Sequence, residues 1–274
     1  MHLIFSILKN EPAFMNYTHI KFEHAGAVAV ITLNRPDVLN SFNRAMALEL
    51  QDALDTCASD KEVRAIYLTG EGRAFCAGQD LAEAIAEDGL PIDVIVREHY
   101  NPIVKKIRAI EKPVVCGVNG VAAGAGANIA LACDITLAAE SASFIQSFSN
   151  IGLIPDSGGT FFLPRLVGLQ RATAMMFLAD KISAAQALQF GMIYKSCLNE
   201  DLQSEAMAIA EKLSKMPTVG FGLTKRALNE SLFNNLEDQL DIEETLQAKA
   251  AATYDNREGI NAFLEKRKPV FKGE

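Results

Sequence analysis

The stretch "NGVAAGAGANIALACDI", residues 119–135, decides how the chain is read. It follows the apolar run "KPVVCGV" (112–118), passes through a turn built from glycine and alanine, and continues with helical composition. An apolar strand, a turn nearly free of side chains and a buried helix are the parts of a β/α unit. Such a turn lets something come close to the main-chain N–H groups at the helix start, where the helix dipole favours negative charge. The "GAGANI" inside it has two glycines of a dinucleotide-binding fingerprint but Ile129 in place of the third. No acidic residue follows at the end of a suitable next strand, which argues against a dinucleotide fold.

Working outward, "YTHIKFEHAG" (17–26) and "AVAVITLN" (27–34) read as two strands around a glycine turn. Residues 44–58 carry Met46, Leu48, Leu50, Leu54 and Cys57 at roughly helical spacing, with Asn43 placed to cap them. A strand, "VRAIYLTG" (63–70), leads into the irregular "EGRAFCAGQDL" (71–81) and a helical stretch over 92–110. "PVVCGV" (113–118) and "DITLAA" (134–139) then supply strands on either side of the central turn. Alternating strands and helices predict parallel pairing through right-handed crossovers. From residue 157 the pattern is almost wholly helical. Pro217 opens one helix, and Asp255, with Glu258 three residues on, caps another. The expected organisation is an extension over 1–14, an α/β core over 15–210 and a helical C-terminal region over 211–274. No internal repeat is visible in the sequence.

The 274 residues are 49% hydrophobic, enough for one well-buried core. Lys and Arg number 26 against 34 Asp and Glu, a net charge of −8 with no basic cluster, which speaks against nucleic acid as a partner. An anionic ligand would need local cations. Cys57, Cys76, Cys116, Cys133 and Cys197 are scattered and form no CxxC pair, so reduced, buried thiols and a cytoplasmic setting are expected. The opening "MHLIFSILKN" lacks a basic n-region and a cleavage site, and is not read as a signal peptide. No apolar run reaches the roughly 18–20 residues of a membrane span. His2, His19, His24 and His99 are not spaced as metal ligands, so no metal is expected, and Ser157 has no histidine downstream of it.

Two turns are alike in kind: "FCAGQD" (75–80) and "GAGA" (124–127). Two readings fit them. Their N–H groups converge on one oxygen and form an oxyanion hole, or they are simply tight turns with close strand–helix packing. Asp156, in "FSNIGLIPDSGGTFFLPRLVG" (148–168), also has two readings. In apolar company its carboxyl has a raised pKa and exchanges protons, or it serves as a helix N-cap. Phe144, Phe148, Phe161 and Phe162 either line a pocket fit for a ring or belong to plain core.

"LNRPDVLNSF", "GRAFCAGQDL", "NGVAAGAGANIALACDI", "GLIPDSGGT" and "REGINAFLEKRKPVF" together resemble the enoyl-CoA hydratase/isomerase, or crotonase, superfamily, in order from Tyr17 to Phe271. The resemblance implies a spiral of ββα units with a helical trimerisation region, and a homotrimer or dimer of trimers. It implies an acyl-CoA substrate, with coenzyme A part of that substrate and no separate cofactor. The thioester oxygen would lie between the N–H groups of Gln79 and Ala125, with Gly124 and Gly126 shaping the turn and Gly78 among the substrate-binding residues. Arg35, Ala77 and Asp80 would contact CoA, as would Phe263 and Lys266, three apart on one helix face, often from a neighbouring subunit. The two glutamates of typical hydratases are replaced by Asn128 and Phe148. That leaves Asp156 as the base of an isomerase, shifting a double bond or converting ring-1,2-epoxyphenylacetyl-CoA to its oxepin, in phenylacetate or fatty-acid breakdown. A hydratase, another crotonase-fold acyl-CoA enzyme and a non-catalytic CoA-binding subunit are the alternatives.

Overall fold

The computed structural model describes residues 17–87 and 89–274, so the expected 1–14 extension lies outside the described residues. Its strands are β1 (Ile20–Ala25), β2 (Val28–Leu33), β3 (Ala65–Gly70), β4 (Ala74–Cys76), β5 (Val114–Val118), β6 (Val121–Ala123), β7 (Ile135–Ala139), β8 (Ser143–Ile145), β9 (Ile182–Ser183) and β10 (Lys195–Cys197). Through the core run the helices α1 (Arg44–Ser59), α2 (Leu81–Ala84), α3 (Ile92–Ile95), α4 (Asn101–Ala109), α5 (Ala125–Ala132), α6 (Gly159–Val167), α7 (Leu169–Leu178) and α8 (Ala184–Gln189). The C-terminal third adds α9 (Leu202–Ser214), α10 (Thr218–Glu230), α11 (Leu236–Ala251) and α12 (Tyr254–Leu264).

A six-stranded sheet runs β1-β2-β3-β5-β7-β10 and a four-stranded sheet β4-β6-β8-β9. The pairs β3–β4, β5–β6 and β7–β8 each give their first strand to the larger sheet and their second to the smaller, and successive pairs lie side by side in parallel. With the helices that follow, this is the ββα spiral that the resemblance implies. The repeat is one of topology, carried by strands as short as three residues, which is why no sequence period marks it. Every residue of β5 is buried, as befits a parallel strand covered on both faces. β1 and β2 are the antiparallel exception in the large sheet.

α1 begins where its cap predicts: the Asn43 side chain accepts from the Met46 N–H at 2.9 Å. Its buried face is Met46, Ala47, Leu50, Ala53, Leu54 and Cys57, whereas Leu48 falls out of phase and is exposed. Cys57, Cys76, Cys116 and Cys133 are buried free thiols, and Cys197 is half-buried.

The second half departs from the all-helical expectation. β9 joins the small sheet and β10 extends the large one beside β7; strands of two or three residues have no periodicity to read. Asp255 does not cap α12. Thr253 does, accepting from the Asn256 N–H at 3.0 Å. Asp255 instead accepts from the N–H groups of Lys272 and Gly273, and Glu258 holds Arg267 and the Val270 N–H, so both acids fasten the C-terminal tail. Among the described residues no helix is long and apolar enough to cross a membrane.

Candidate active site

β4 ends at Cys76 and the chain turns through Ala77, Gly78 and Gln79, with Gly78 at φ +94°. Phe42 clamps this turn on both sides: its N–H donates to the Gly78 carbonyl at 2.7 Å, and its carbonyl accepts from the Asp80 N–H at 2.8 Å. The Gly78 N–H points at the Cys76 Sγ, 3.4 Å away. Between these bonds the Gln79 N–H finds no acceptor among the described residues. The second turn leaves β6 through Gly124, whose φ of +52° with ψ −125° is a conformation closed to residues with a Cβ. Ala125 is the first residue of α5, so its N–H has no intrahelical partner. A Cβ on Gly78 would sit 3.0 Å from the Ala123 oxygen and 3.7 Å from the Ala125 nitrogen, so the two turns touch.

Close packing accounts for part of this bareness. A Cβ on Gly126 would lie 2.5 Å from the Cys76 carbonyl oxygen, so α5 meets β4 without an intervening side chain. Packing does not account for the free N–H groups of Gln79 and Ala125. Both residues border a cavity of about 550 Å³.

The rest of that cavity is mostly apolar: Leu81, Ile85, Ile92, Phe148, Ile151 and Leu153 form its wall, with Gln79, Tyr100, Ser147, Asn150 and Asp156 as the polar residues. Asp156 is the only carboxylate on the wall among the described residues. It does not cap α6, whose N-cap is Gly158. Burial pushes its carboxyl above the ordinary aspartate range, and the Ser157 hydroxyl, donating to Oδ1 at 2.8 Å, opposes that shift. Ser157 holds a left-handed φ of +51°, which turns the chain sharply between the carboxylate and α6.

Asn128 and Phe148 sit beside this carboxylate in different ways. Phe148 contributes its ring to the wall. Asn128 is 1% exposed and does not line the cavity, donating to the Asp156 main-chain carbonyl at 2.9 Å and accepting from Gln146 Nε2 at 2.8 Å. Of the other phenylalanines, Phe144 is core. Phe161 and Phe162 pack edge to face on each other, with the Arg165 guanidinium over Phe161; neither lines the cavity.

Arg35 and Asp80 pair with one another at 2.9 Å. Arg35 also donates to the Ser41 carbonyl, and Asp80 caps α2 through the Ala82 N–H. Together they brace the outer side of the Gly78–Gln79 turn, while Ala77, Gly78 and Gly124 line the cavity directly. Phe263 and Lys266 do not share a helix face. α12 ends at Leu264, and Lys266 lies beyond it at φ +55°. Phe263, 82% exposed, borders a separate cleft of about 470 Å³ among α10, α11 and α12.

Tyr100 is one of several wall residues that the sequence did not mark. A five-residue π turn, Val96–Tyr100, joins α3 to α4 and swings the ring inward, where Oη donates to Gln79 Oε1 at 2.6 Å. Burial pushes its phenol well above its usual range, so it stays a neutral hydroxyl. An aromatic ahead of Asn-Pro gives no signal of this by pattern alone.

Residues 23–274 match the family model described as Enoyl-CoA hydratase/isomerase. A probable enoyl-CoA hydratase of Rhodobacter capsulatus is 46% identical over 259 residues, covering 94% of this chain and 100% of the relative. The 1,2-epoxyphenylacetyl-CoA isomerase of Escherichia coli is 46% identical over 250 residues, covering 90% and 95%. The crystal structure of an enoyl-CoA hydratase from Bacillus anthracis matches with a TM-score of 0.88 at 33% identity, covering 94% of this chain and 100% of that one. Two equally similar relatives thus bear different activities in their names.

Proposed function

The chain belongs to the enoyl-CoA hydratase/isomerase family, and we propose that within this family of acyl-CoA enzymes it is an isomerase with Asp156 as its single acid/base. The observation that carries this reading is the lone carboxylate on a largely apolar wall that also presents two free N–H groups. The thioester oxygen accepts from the N–H groups of Gln79 and Ala125. Asp156 takes a proton from the carbon α to the carbonyl, and the electron pair moves onto that oxygen. The same carboxyl returns the proton at the γ carbon, and the double bond moves into conjugation with the thioester. Removing one such donor costs about 3 kcal/mol of barrier in enzymes that use them. A carboxyl whose pKa is raised by burial is a better match for this exchange than an ordinary aspartate.

A ring-1,2-epoxyphenylacetyl-CoA asks for the same proton path. The carbon–carbon bond of the epoxide opens to the seven-membered oxepin, and an α-to-γ proton shift then conjugates the ring with the thioester. Adding water by the usual two-carboxylate route would instead need a carboxylate at the positions of Asn128 and Phe148. Phe148 has none, and both ends of the Asn128 amide are engaged by Asp156 and Gln146. Ala77, Gly78 and Gly124 border the thioester, and the Arg35–Asp80 pair acts behind them on the CoA side. Phe263 and Lys266, away from their own cavity, serve the CoA of a neighbouring copy in a homotrimer or dimer of trimers.

A spectrophotometric assay with 3-hexenoyl-CoA and crotonyl-CoA tests this. Conjugation of the first without hydration of the second is expected. Steady hydration of crotonyl-CoA would overturn the single-base reading.

A further inference from the structure

Asp156 lies in a segment outside helix and strand, between Pro155 and the left-handed Ser157, so the direction of its carboxylate depends on how this short turn is held. The Ser157 hydroxyl holds the carboxylate itself, and two further bonds hold the Asp156 carbonyl. That oxygen accepts from the Gly159 N–H at 2.8 Å and from Asn128 Nδ2 at 2.9 Å. The Asn128 amide has only one workable orientation, because turned over it would set its oxygen against the Asp156 carbonyl. Gln146, 3% exposed, selects that orientation by donating to Asn128 Oδ1 at 2.8 Å. In doing so Gln146 leaves its own Oε1 buried with no partner among the described residues. An apolar residue would avoid that cost, so holding Asn128 is what the glutamine supplies. Gly159 completes the fit, since a Cβ there would stand 2.3 Å from Asn128 Nδ2.

The main chain of Asn128 makes a second attachment. Its N–H donates to the Gly124 carbonyl at 3.2 Å, within the turn that presents Ala125. One residue therefore grips the oxyanion turn through its backbone and the proposed base through its side chain.

We propose that Asn128, oriented by Gln146, is a positioning residue that sets the Asp156 carboxylate in register with the N–H groups of Gln79 and Ala125. The proposal rests on the isomerase reading of the same site. Neither amide touches the cavity, so their loss acts on kcat rather than on substrate binding.

Asn128→Leu, which keeps the volume and removes both hydrogen bonds, is expected to lower kcat for 3-hexenoyl-CoA about 10²-fold with KM changed little. Gln146→Met lowers it less, about 10-fold, because Asn128 retains its donor to Asp156. The double variant is no slower than Asn128→Leu alone, since Gln146 acts only through Asn128. A kcat near that of the wild type in Asn128→Leu, or losses that multiply in the double variant, would overturn the proposal. If the wild type itself proves inert on 3-enoyl substrates, the isomerase reading fails, and positioning is read instead from the ¹³C carboxyl titration of labelled aspartate, assigned with Asp156→Asn. A midpoint for Asp156 that moves in Asn128→Leu sustains the positioning role; an unchanged one rejects it.

Discussion

The hydroxyl of Ser157 donates to Oδ1 of Asp156 at 2.8 Å, and it is the one side-chain donor acting against the burial that raises this carboxyl. Removing it in Ser157→Ala leaves only a main-chain hydrogen bond opposing burial, so the carboxyl holds its proton to higher pH. As the proposed base, Asp156 works when ionised, so the acidic limb of the kcat profile is expected to move towards higher pH. A kcat below wild type along the acidic limb, converging on it at alkaline pH, is expected from kcat measured across the pH range. An unmoved limb would mean that the serine does not bear on the base.

Asp156→Asn abolishes the proton exchange and lowers kcat at least about 10³-fold, while acyl-CoA binding is retained. It also changes stability in a defined direction. A carboxyl whose folded pKa is raised binds its proton more tightly in the folded state, so its contribution falls as pH rises through the window above the ordinary aspartate value. Asparagine carries no such penalty. The variant melts higher than wild type at pH 7, and the two melting temperatures converge as the pH falls towards 4.

Ala125 is the first residue of α5, a position that tolerates proline because its N–H has no helical partner. Ala125→Pro therefore deletes one proposed oxyanion donor with little effect on the helix. A fall in kcat of about 10² to 10³ is expected, read beside a far-UV circular dichroism spectrum that stays unchanged. Wild-type kcat in the folded variant would remove Ala125 from the site.

Lys225 ties the C-terminal helices to the core. Its buried Nζ donates to Asp134 Oδ2 at 2.7 Å, while Arg108 holds Oδ1 at 3.0 Å and the Val114 N–H also donates to Oδ2. Burial lowers the lysine's pKa and Asp134 supports its charge. Lys225→Met leaves Asp134 with two partners, so the cost is smaller than for a stranded buried charge, about 1–3 kcal/mol. That corresponds to several degrees of melting temperature, with kcat unchanged once the protein is folded.

The sequence was most informative where local chemistry and packing agree. Asn43 capped α1 as its position required, and Gly124 turned the chain between strand and helix, although the strand before it is the short β6 and the helix already begins at Ala125. Asp156 stood out because a charged residue among Leu153, Ile154 and Pro155 has few reasons to be there. The cavity wall was illegible because it is assembled from segments distant in the chain: Leu81 and Ile85 on and just after α2, Ile92 on α3, Ile151 and Leu153 after β8. Tyr100 was hidden for another reason, since a π turn shifts the face on which a residue emerges and no helical period anticipates that. Asp255 and Glu258 fit a capping pattern, but the tail at 267–273 offered them stronger donors.

The direct contact of Gly126 with the Cys76 carbonyl sets the spacing of the two turns through backbone alone. The wall proposed to face the acyl group is built differently, from the exposed side chains of Leu81, Ile85 and Ile92 on two single-turn helices and the loop beside them. The reactive frame and the substrate-selecting surface can therefore vary independently. Substitutions in that surface can change which acyl group is accepted while the geometry of proton transfer is inherited intact. A scaffold divided in this way can furnish enzymes for new thioesters without relearning the chemistry.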